Sequence, residues 1–190
     1  HINISRAKYS TDYPCSFMFV ASMNPCPCGY YGDPTHRCVC TPGQIQRYMN
    51  KISGPLLDRI DIQCEISPVP FQDISKAAPG EPSAKIRERV IKAREIQAER
   101  FKDYKGIHCN AQMTERMIHQ FAEPDEQGIE LLRMAMEKLS LSARAYNRIL
   151  KVARTIADLA GSEQIKPDHI AEAVGYRTLD RGDWAERGHI

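Results

Sequence analysis

The sequence lacks the two motifs with which many proteins bind a nucleoside triphosphate. No G-x-x-x-x-G-K-[ST] run occurs among its 190 residues, and no apolar strand ends in paired acids of the Asp-Glu type. The first motif cradles the phosphates, and the acids help to hold the magnesium ion. The chain therefore cannot form such a site by itself, and if it serves an ATPase it supplies the other half of the site.

Long apolar runs and a strong net charge are also absent. No apolar run approaches the roughly 20 residues that span a bilayer, and the first residues do not form a charged leader followed by an apolar core. The formal net charge is only +2, so any basic surface has to be local. An apolar share of 42% with 26% charged residues is typical of soluble globular proteins. We expect a folded, cytoplasmic protein without a membrane partner.

The beginning of the chain predicts strands followed by an irregular loop. Apolar alternation on both sides of a short polar stretch predicts a β-hairpin with Lys8 at its tip. Residues 17–21, F-M-F-V-A, are continuously apolar, which is typical of a strand buried on both faces in a sheet covered by helices. The Pro, Gly and Asp content of residues 25–42 excludes regular structure there.

Two short helices and a strand complete this first part. Helical spacing predicts a helix over residues 44–52 and a second one over 56–59. Residues 60–66 alternate apolar and polar side chains, as a strand does. Proline and glycine residues between 67 and 82 mark a linker, so we expect a domain boundary there.

From residue 83 onwards the sequence is helical. The predicted helices cover 83–101 with Ser83 as cap, 114–121 with Thr114, 125–139 with Asp125, 142–160 with Ser142 as cap and Gly161 as terminator, and 166–174. Their core-facing lines are Ile86, Val90, Ala93 and Gln97; Ile129, Leu132, Met136 and Leu139; and Ala145, Ile149, Val152, Ala153, Ile156 and Ala160. The fold class is thus mixed α/β and mostly helical, with domains at 1–66 and 83–179, a linker at 67–82 and an aperiodic tail at 180–190.

Four of the seven cysteines lie close together in the predicted loop. Cys26, Cys28, Cys38 and Cys40 fall within fifteen residues and match a tetrahedral zinc site in number, although C-x-C is tighter than the usual C-x2-C. His36 could replace one ligand, and free structural thiols are the alternative. Zinc held by four protein ligands has no position left for water, so its role here would be structural.

Two polar side chains in the first part are candidates for binding phosphate or water. Asn24 follows the predicted buried strand, where open α/β sheets bind ligands, but an Asn before Pro25 is also a common turn residue. Arg59 could enter a neighbouring subunit's phosphate site, where its planar fork would stabilise charge on a transferred phosphoryl group. An ion pair with Asp58 or Asp61 explains Arg59 equally well.

A row of four cations lies along the helix that Ser142 begins. Arg144, Arg148, Lys151 and Arg154 recur at spacings of three or four, which fits either a phosphate or nucleic-acid surface or a solvated helix face. For the last three we favour the solvated face. Arg144 differs, because a cation in the first turn opposes the helix dipole and is expected to have another purpose there.

Several runs of residues together resemble one protein family. They are I-S-R-A at 4–7, M-N-P-C-P-C-G-Y-Y-G-D at 23–33, the run at 38–48, K-I-S-G-P-L-L-D-R-I-D at 51–61 and L-S-A-R-A-Y at 141–146. This combination is similar to the C-terminal part of Mg-chelatase-like AAA+ proteins, specifically the YifB/ComM group. The resemblance extends from about residue 2 to residue 181, and N-P-C-P-C-G and S-G-P-L-L-D-R-I-D are its most specific parts.

The resemblance implies a fold and an architecture. The chain should be the C-terminal portion of an AAA+ P-loop base domain followed by an α-helical lid domain. Members of the family carry a Lon-protease-like domain and the Walker A and B strands before the matched region. The chain is therefore expected to be a fragment that neither binds ATP tightly nor hydrolyses it alone.

The resemblance also implies roles for individual residues. Asn24 falls at the sensor 1 position, which polarises the attacking water; Arg59 falls at the arginine finger; and Arg144 falls at sensor 2, which reads the γ-phosphate. Lys8, with Arg6 beside it, lies in a hairpin that contacts DNA in related replicative helicases. Family members are hexameric rings that use ATP and Mg²⁺, and ComM is described as a branch-migrating DNA helicase in natural competence.

Three functions follow from these observations. The first is part of a DNA-acting AAA+ motor, which the cysteine cluster and the Lys8 hairpin favour by resemblance. The second is the ATPase subunit of a magnesium chelatase, which drives metal insertion into a porphyrin. The third is a non-enzymatic, zinc-stapled module that binds nucleic acid through its basic row.

Overall fold

The regular structure of the described residues is one β-hairpin followed by a series of helices. The computed structural model describes residues 1–69, 73, 80–139 and 141–177. The elements are β1 (Ile2–Arg6), β2 (Tyr9–Tyr13), α1 (Pro42–Met49), α2 (Gly54–Leu57), α3 (Ser83–Arg100), a 3-10 turn (Asn110–Gln112), α4 (Glu115–Phe121), α5 (Glu126–Leu139), α6 (Ala143–Leu159) and α7 (Pro167–Gly175). The mixed, mostly helical fold class is confirmed. Among the described helices, none has the length and apolarity that crossing a bilayer requires.

The predicted hairpin is present, with Lys8 at its tip. Strands β1 and β2 pair antiparallel from Ile2 opposite Tyr13 to Arg6 opposite Tyr9, so residues 7 and 8 form the turn. Ala7 adopts a φ of 46°, in the left-handed region, which a tight two-residue turn demands. Both strands are exposed along their whole length, and an isolated two-stranded sheet is only marginally stable in water.

The buried strand predicted over residues 17–21 is wrong. This run has no regular structure, and Phe17 and Val20 are 71% and 81% exposed. A strand is stable only when neighbouring strands satisfy its backbone hydrogen bonds and cover its side chains. The described residues form only the β1–β2 sheet, which offers this apolar run no partner.

The strand predicted over residues 60–66 is also wrong. The segment is irregular, and Ile62 and Ile66 are exposed although the alternation placed them in a core. Gln63 is buried instead: its backbone N–H donates to the Tyr176 carbonyl at 2.9 Å, and its side-chain nitrogen donates to the Leu57 carbonyl at 3.1 Å. The segment therefore satisfies its backbone against the end of a helix and not against a sheet.

Helices α3 to α7 surround one hydrophobic core, in which α6 is the central element. Helix α6 packs against α7, α3, α4 and the 3-10 turn. Its apolar face contributes Ile149, Leu150 and Ala153, which meet Leu132 of α5 and Ile170 of α7. The buried residues of this core are Phe101, Met113, Met117, Ile118, Ala122, Leu132, Ile149, Leu150, Ala153, Ala157, Ile165, Ile170 and Ala173.

The ends of α6 follow the predicted signals closely. The Ser142 hydroxyl accepts the N–H of Ala145 at 3.2 Å and so caps the first turn. At the other end, Gly161 has a φ of 65° and donates to the Asp158 carbonyl, while Ser162 donates to the Ala157 carbonyl. These two bonds form a Schellman motif, in which the left-handed residue is usually glycine. The inward face differs slightly from the prediction, because Ala160 is exposed.

Two other helices differ from expectation in their caps or buried faces. Helix α3 begins at Ser83 and its N-cap is Pro82, so Ser83 is not the cap. Only the second half of α3 reaches the core, and Ile86 and Val90 remain exposed. In α5 Ile129 is exposed, whereas Leu132 of the same predicted line is buried and Met136 is half-buried against the core.

Gly128, in the first turn of α5, lies close to the residues that precede the helix. A Cβ at this position would lie 2.9 Å from the Pro124 side chain and 3.0 Å from the Asp125 carboxylate, closer than packed atoms allow, and at an ordinary contact distance of 3.5 Å from Ile170. The Asp125 side chain accepts the N–H of Gly128 at 2.7 Å, which agrees with its predicted capping role. Glycine at this position therefore lets the first turn of α5 pack closely against the residues that precede it.

The predicted linker and tail fall largely beyond the described residues. Positions 70–72, 74–79 and 178–190 are outside them, so the boundary at 67–82 and the tail at 180–190 stay predictions.

A buried cluster of charges and amides joins α3, α6 and the 3-10 turn. Both guanidinium nitrogens of Arg100 donate to the Asp158 carboxylate, at 2.7 and 2.5 Å. Arg154 donates to the same carboxylate at 3.1 Å and Asn110 at 2.8 Å. Gln97 accepts the N–H of Asn110, which completes the cluster. Sequence periodicity placed Gln97 on the inward line of its helix but gave no sign that Arg100, Arg154 and Asp158 are paired here.

Candidate functional site

The cysteine loop is built from two tight turns and the start of a helix. Cys26 and Cys28 lie in a turn in which the Gly29 N–H donates to the Cys26 carbonyl at 3.1 Å. Cys38 and Cys40 come directly before α1, whose first turn is closed by a capping box between Thr41 and Gln44. The loop thus brings both cysteine pairs to the same end of α1.

The four thiols converge to the spacing of a metal site. The sulfurs of Cys26, Cys28, Cys38 and Cys40 all lie within 4.8 Å of one another. Three of the pairs are separated by 3.3, 3.5 and 3.8 Å. Zinc–sulfur bonds of about 2.3 Å in a tetrahedron place sulfurs roughly 3.8 Å apart. The donor set and its spacing therefore fit a four-coordinate zinc ion.

The protonation of these thiols differs with their surroundings. Backbone N–H groups, first that of Tyr30 and then that of Val39, lower the pKa of Cys28 to about 6. The Cys40 backbone also lowers the pKa of Cys38, but burial and the neighbouring thiols outweigh it and raise that pKa to about 12. The loop therefore favours a thiolate, the form that binds metals, at Cys28.

His36 is not part of the thiol group, so its suggested role as a replacement ligand is not supported. Its ring stacks on Tyr30, with centroids 4.8 Å apart, and its Nδ1 lies 2.8 Å from the Thr35 hydroxyl. Asp33 accepts hydrogen bonds from the Thr35 hydroxyl, the Thr35 N–H and the His36 N–H, which lower its pKa to about 2. This network shapes the tip of the loop.

Asn24 lies at the start of the cysteine loop and not at the end of a strand. It is exposed, and a Cβ added at Gly29 would lie 3.9 Å from the Asn24 amide nitrogen. Among the described residues no hydrogen bond or ion pair joins Asn24 to Arg59 or Arg144. The sequence-based placement of Asn24 beyond a buried strand is therefore wrong here, for the reason given for residues 17–21.

Arg59 is exposed just after α2, and the acids beside it are engaged elsewhere. Its guanidinium donates only to the Pro55 carbonyl, at 2.7 Å, among the contacts described. Asp58 accepts a hydrogen bond from Ser142 at 2.9 Å, and Asp61 pairs with Arg148. The predicted alternative, an ion pair of Arg59 with Asp58 or Asp61, does not occur. The charge of Arg59 is available to an outside ligand.

The row of cations on α6 does not form a continuous surface. Arg154 is 3% exposed and lies in the buried charge cluster, where it also donates to the carbonyls of Ser162 and Glu163. Lys151 donates to the Ala111 carbonyl at 2.9 Å. The interpretation as a solvated face is therefore wrong for Arg154, whereas Lys151 and Arg148 are half-buried and each binds another part of the chain.

Arg144 is the exception in this row. It is exposed on the first turn of α6, and within the described parts of the chain its guanidinium has no hydrogen-bond or ion-pair partner. The structure connects it indirectly to Arg59: Ser142, which caps the helix carrying Arg144, donates to Asp58, the neighbour of Arg59. Two of the three predicted nucleotide-sensing residues thus lie on elements in direct contact.

Sequence reasoning missed the side chains that make this contact. Arg177 is 1% exposed and donates to the Ile60 carbonyl and to Asp58, at 3.5 Å in the second case. Its position after the last predicted helix carried no pattern. The sequence did contain one sign of this contact, the two acids Asp58 and Asp61 near Arg59, but they were interpreted as ion-pair partners of Arg59 itself.

Comparison with known proteins agrees with the resemblance in the motifs. Residues 80–177 match the family described as magnesium chelatase, subunit ChlI C-terminal, and residues 1–74 match magnesium chelatase, subunit ChlI. Competence protein ComM of Haemophilus influenzae is 44% identical over 181 residues, and protein YifB of Escherichia coli is 42% identical over 181 residues. These alignments cover 95% of this chain but 34% of each relative, so the chain spans about a third of their length. The chain belongs to the YifB/ComM group of the Mg-chelatase-like family.

Proposed function

We propose that this chain is the C-terminal part of an ATP-driven DNA motor of the ComM type, a branch-migrating helicase of the Mg-chelatase-like AAA+ class. The observation that carries the proposal is the state of Arg59: it is exposed, and both neighbouring acids are bound to other residues. A guanidinium kept free of acids in this way suits a phosphoryl group presented by another subunit.

In this proposal three residues complete an ATP site whose cradle lies elsewhere. Arg59 acts as the arginine finger, Arg144 as sensor 2 and Asn24 as sensor 1. Arg144 is exposed and has no acidic partner in the described part of the chain, which supports its role, because an unpaired cation in a first helical turn is destabilising unless a ligand uses it. The ring is hexameric and made of identical subunits, and ATP and Mg²⁺ are its cofactors.

The proposed DNA contact is the β-hairpin. Lys8 occupies the turn and Arg6 ends the first strand, so both cations lie at the same end of an exposed ribbon. A thin, exposed ribbon with a cationic tip suits a contact with the phosphate backbone. The relative from Haemophilus influenzae carries the name competence protein, which agrees with work on DNA.

The proposed role of the cysteines is to bind one structural zinc ion. Cys26, Cys28, Cys38 and Cys40 would hold it, and the bound ion would fix the two halves of the loop against α1. The small apolar cluster of Cys26, Ile45 and Met49 supports this role, since it is too small to order so long a loop by itself.

Substitution of the finger tests the motor proposal. In the full-length protein Arg59→Ala should lower ATP turnover by about 1,000-fold, the usual loss for an arginine finger. Mixed rings of this variant with a Walker-deficient subunit should recover activity, because a finger acts across a subunit boundary. The matched control is Arg47→Ala. It removes an exposed arginine that lies on α1, away from Arg59, and should leave turnover unchanged. Full turnover by Arg59→Ala would refute the proposal.

A chelatase subunit is the second candidate, because both matching family descriptions are of magnesium chelatase. The two functions differ in what stimulates hydrolysis. A DNA motor is accelerated by DNA and loses that stimulation in Lys8→Ala, whereas a chelatase subunit is indifferent to DNA. The third function, a nucleic-acid module acting without ATP, is disfavoured because Arg148, Lys151 and Arg154 are used internally.

A further inference from the structure

The segment that carries Arg59 is bound to the helical domain at several points. Residues 57–63 begin at the last residue of α2 and lie against the first turn of α6 and the end of α7. The contacts join parts of the chain that are more than eighty residues apart in sequence. The segment is therefore part of a tertiary interface, although it has no regular structure of its own.

The first contact is made by Asp58. Its carboxylate accepts the Ser142 hydroxyl at 2.9 Å through one oxygen and faces Arg177 at 3.5 Å through the other. Ser142 is at the same time the N-cap of α6, since its hydroxyl oxygen accepts the N–H of Ala145. One side chain thus ties the residue before Arg59 to the first turn of the helix that carries Arg144.

The second contact is made by Arg177. Its side chain is almost completely buried, and it donates to the carbonyl of Ile60 as well as to Asp58. These two acceptors are the immediate neighbours of Arg59 in the chain. A buried guanidinium needs such acceptors, because leaving its donors unsatisfied is costly.

Two further contacts extend the interface along the segment. Asp61 pairs with Arg148, one turn further along α6 than Arg144. The N–H of Gln63 donates to the Tyr176 carbonyl at the end of α7. The backbone on both sides of Arg59 is consequently anchored, while the Arg59 side chain itself remains exposed.

We propose that Asp58, Asp61, Arg148 and Arg177 are positioning residues that hold Arg59 at a constant place relative to the first turn of α6. This inference rests on the proposed roles of Arg59 and Arg144. A displacement of the helical domain then carries Arg59 with it. Nucleotide binding or release at Arg144 therefore changes the position in which Arg59 is presented to the ATP site of a neighbouring subunit. The four residues act through the position of Arg59 and have no contact with nucleotide.

The interface itself is tested in the 190-residue chain by exchanging the charges of one pair. Asp61→Arg and Arg148→Asp should each accelerate hydrogen exchange of the Gln63 amide at least about fivefold, because this amide is protected only while the segment is docked. The double variant, which restores the pair with its charges reversed, should return exchange to within about twofold of the parent. Arg133→Glu, in an exposed ion pair on α5, is the control and should leave this amide unchanged.

The functional consequence is tested with the same variants in the full-length protein. Each single reversal should lower kcat at least about fivefold while KM for ATP stays near the parent value, and the double reversal should recover most of the loss. Faster exchange with unchanged kcat would show that the contact does not position Arg59, and unchanged exchange would show that the pair does not hold the segment. Either result overturns the inference. Full activity of Arg59→Ala would instead refute the proposed function, while the exchange result would still stand.

Discussion

Asp158 lies at the centre of the charged cluster in the helical domain. Its side chain is fully buried, and it accepts hydrogen bonds from Arg100, Arg154 and Asn110. Burial raises the free energy of every charge in the cluster, and the arrangement is tolerable only because each carboxylate oxygen and most guanidinium donors have partners. The desolvation that burial imposes also lowers the pKa of Arg154.

Removal of the Asp158 charge should destabilise the chain strongly. Asp158→Asn keeps the size of the side chain but leaves two guanidiniums without their counter-charge, and we expect a loss of about 3–5 kcal/mol in the free energy of unfolding. Urea denaturation followed by circular dichroism measures this loss. Glu137→Gln, in an exposed pair with Arg133, is the matched control and should change stability by less than about 0.5 kcal/mol. Equal effects of the two substitutions would contradict the prediction.

The cysteine loop and α1 form a separate structural element with its own small core. Cys26, Ile45 and Met49 are its buried members, and Tyr31 and Tyr48 cover them partly. Three buried side chains contribute a few kcal/mol at most, while ordering some fifteen loop residues costs more than that in entropy. A metal bond would supply the difference, as it does in other small metal-bound folds.

Metal removal should therefore loosen this element and spare the helical core. The purified chain is expected to contain about one zinc ion per molecule. A strong chelator should move the NMR signals of residues 25–52 to random-coil chemical shifts, while the signals of α6 stay at their folded positions. Cys38→Ser should abolish zinc binding. Cys64→Ser, which removes an exposed cysteine outside the group, should retain it. A chain free of metal with an ordered loop would contradict the zinc assignment.

The motif that ends α6 depends on the left-handed backbone conformation of one residue, Gly161. Gly161 adopts a left-handed φ of 65° within the Schellman motif, whereas Gly175 at the end of α7 has no such conformation and no atom near its missing Cβ. Gly161→Ala should cost about 1 kcal/mol, since a Cβ strains a left-handed residue. Gly175→Ala is the matched control and should be neutral or slightly stabilising. Thermal unfolding of both variants measures the difference, and similar melting temperatures would argue against this role of Gly161.

At the scale of the whole molecule, two packing centres are joined by the segment that carries Arg59. One is the small cluster at the cysteine loop and the other is the core of helices α3 to α7. Residues 57–63 follow the first centre in the chain and are hydrogen-bonded to α6 and α7 of the second. The two arginines proposed to sense nucleotide, Arg59 and Arg144, thus belong to one connected structure, while the motif that cradles phosphates does not occur in the sequence.

The 190-residue chain alone should consequently have no ATPase activity. Without the Gly-Lys-Ser/Thr motif no backbone nest is available for the phosphates and no hydroxyl for magnesium. Phosphate release measured with saturating ATP and Mg²⁺, with and without DNA, should not exceed that of the Arg59→Ala, Arg144→Ala double variant. Turnover that depends on either arginine in the isolated chain would contradict this expectation.

The helices and the cysteine group could be read from the sequence because their signals are local. Capping residues such as Ser142, the terminator Gly161 and the recurrence of apolar residues at three and four positions act within one helix. The four thiols lie within fifteen residues, so a short loop is enough to bring them together. The motifs around Asn24, Arg59 and Arg144 likewise identified the family from short runs alone.

Only the tertiary structure decided which polar groups face each other across the chain. Four cations look alike in sequence, yet Arg144 has no partner among the described residues, Arg148 anchors Asp61, Lys151 binds a loop carbonyl and Arg154 is buried. The strands predicted at 17–21 and 60–66 failed because strand pairing needs a partner that local alternation does not specify. Side-chain identity sets what a residue is able to bind, but its partner depends on residues brought near by folding from distant parts of the chain.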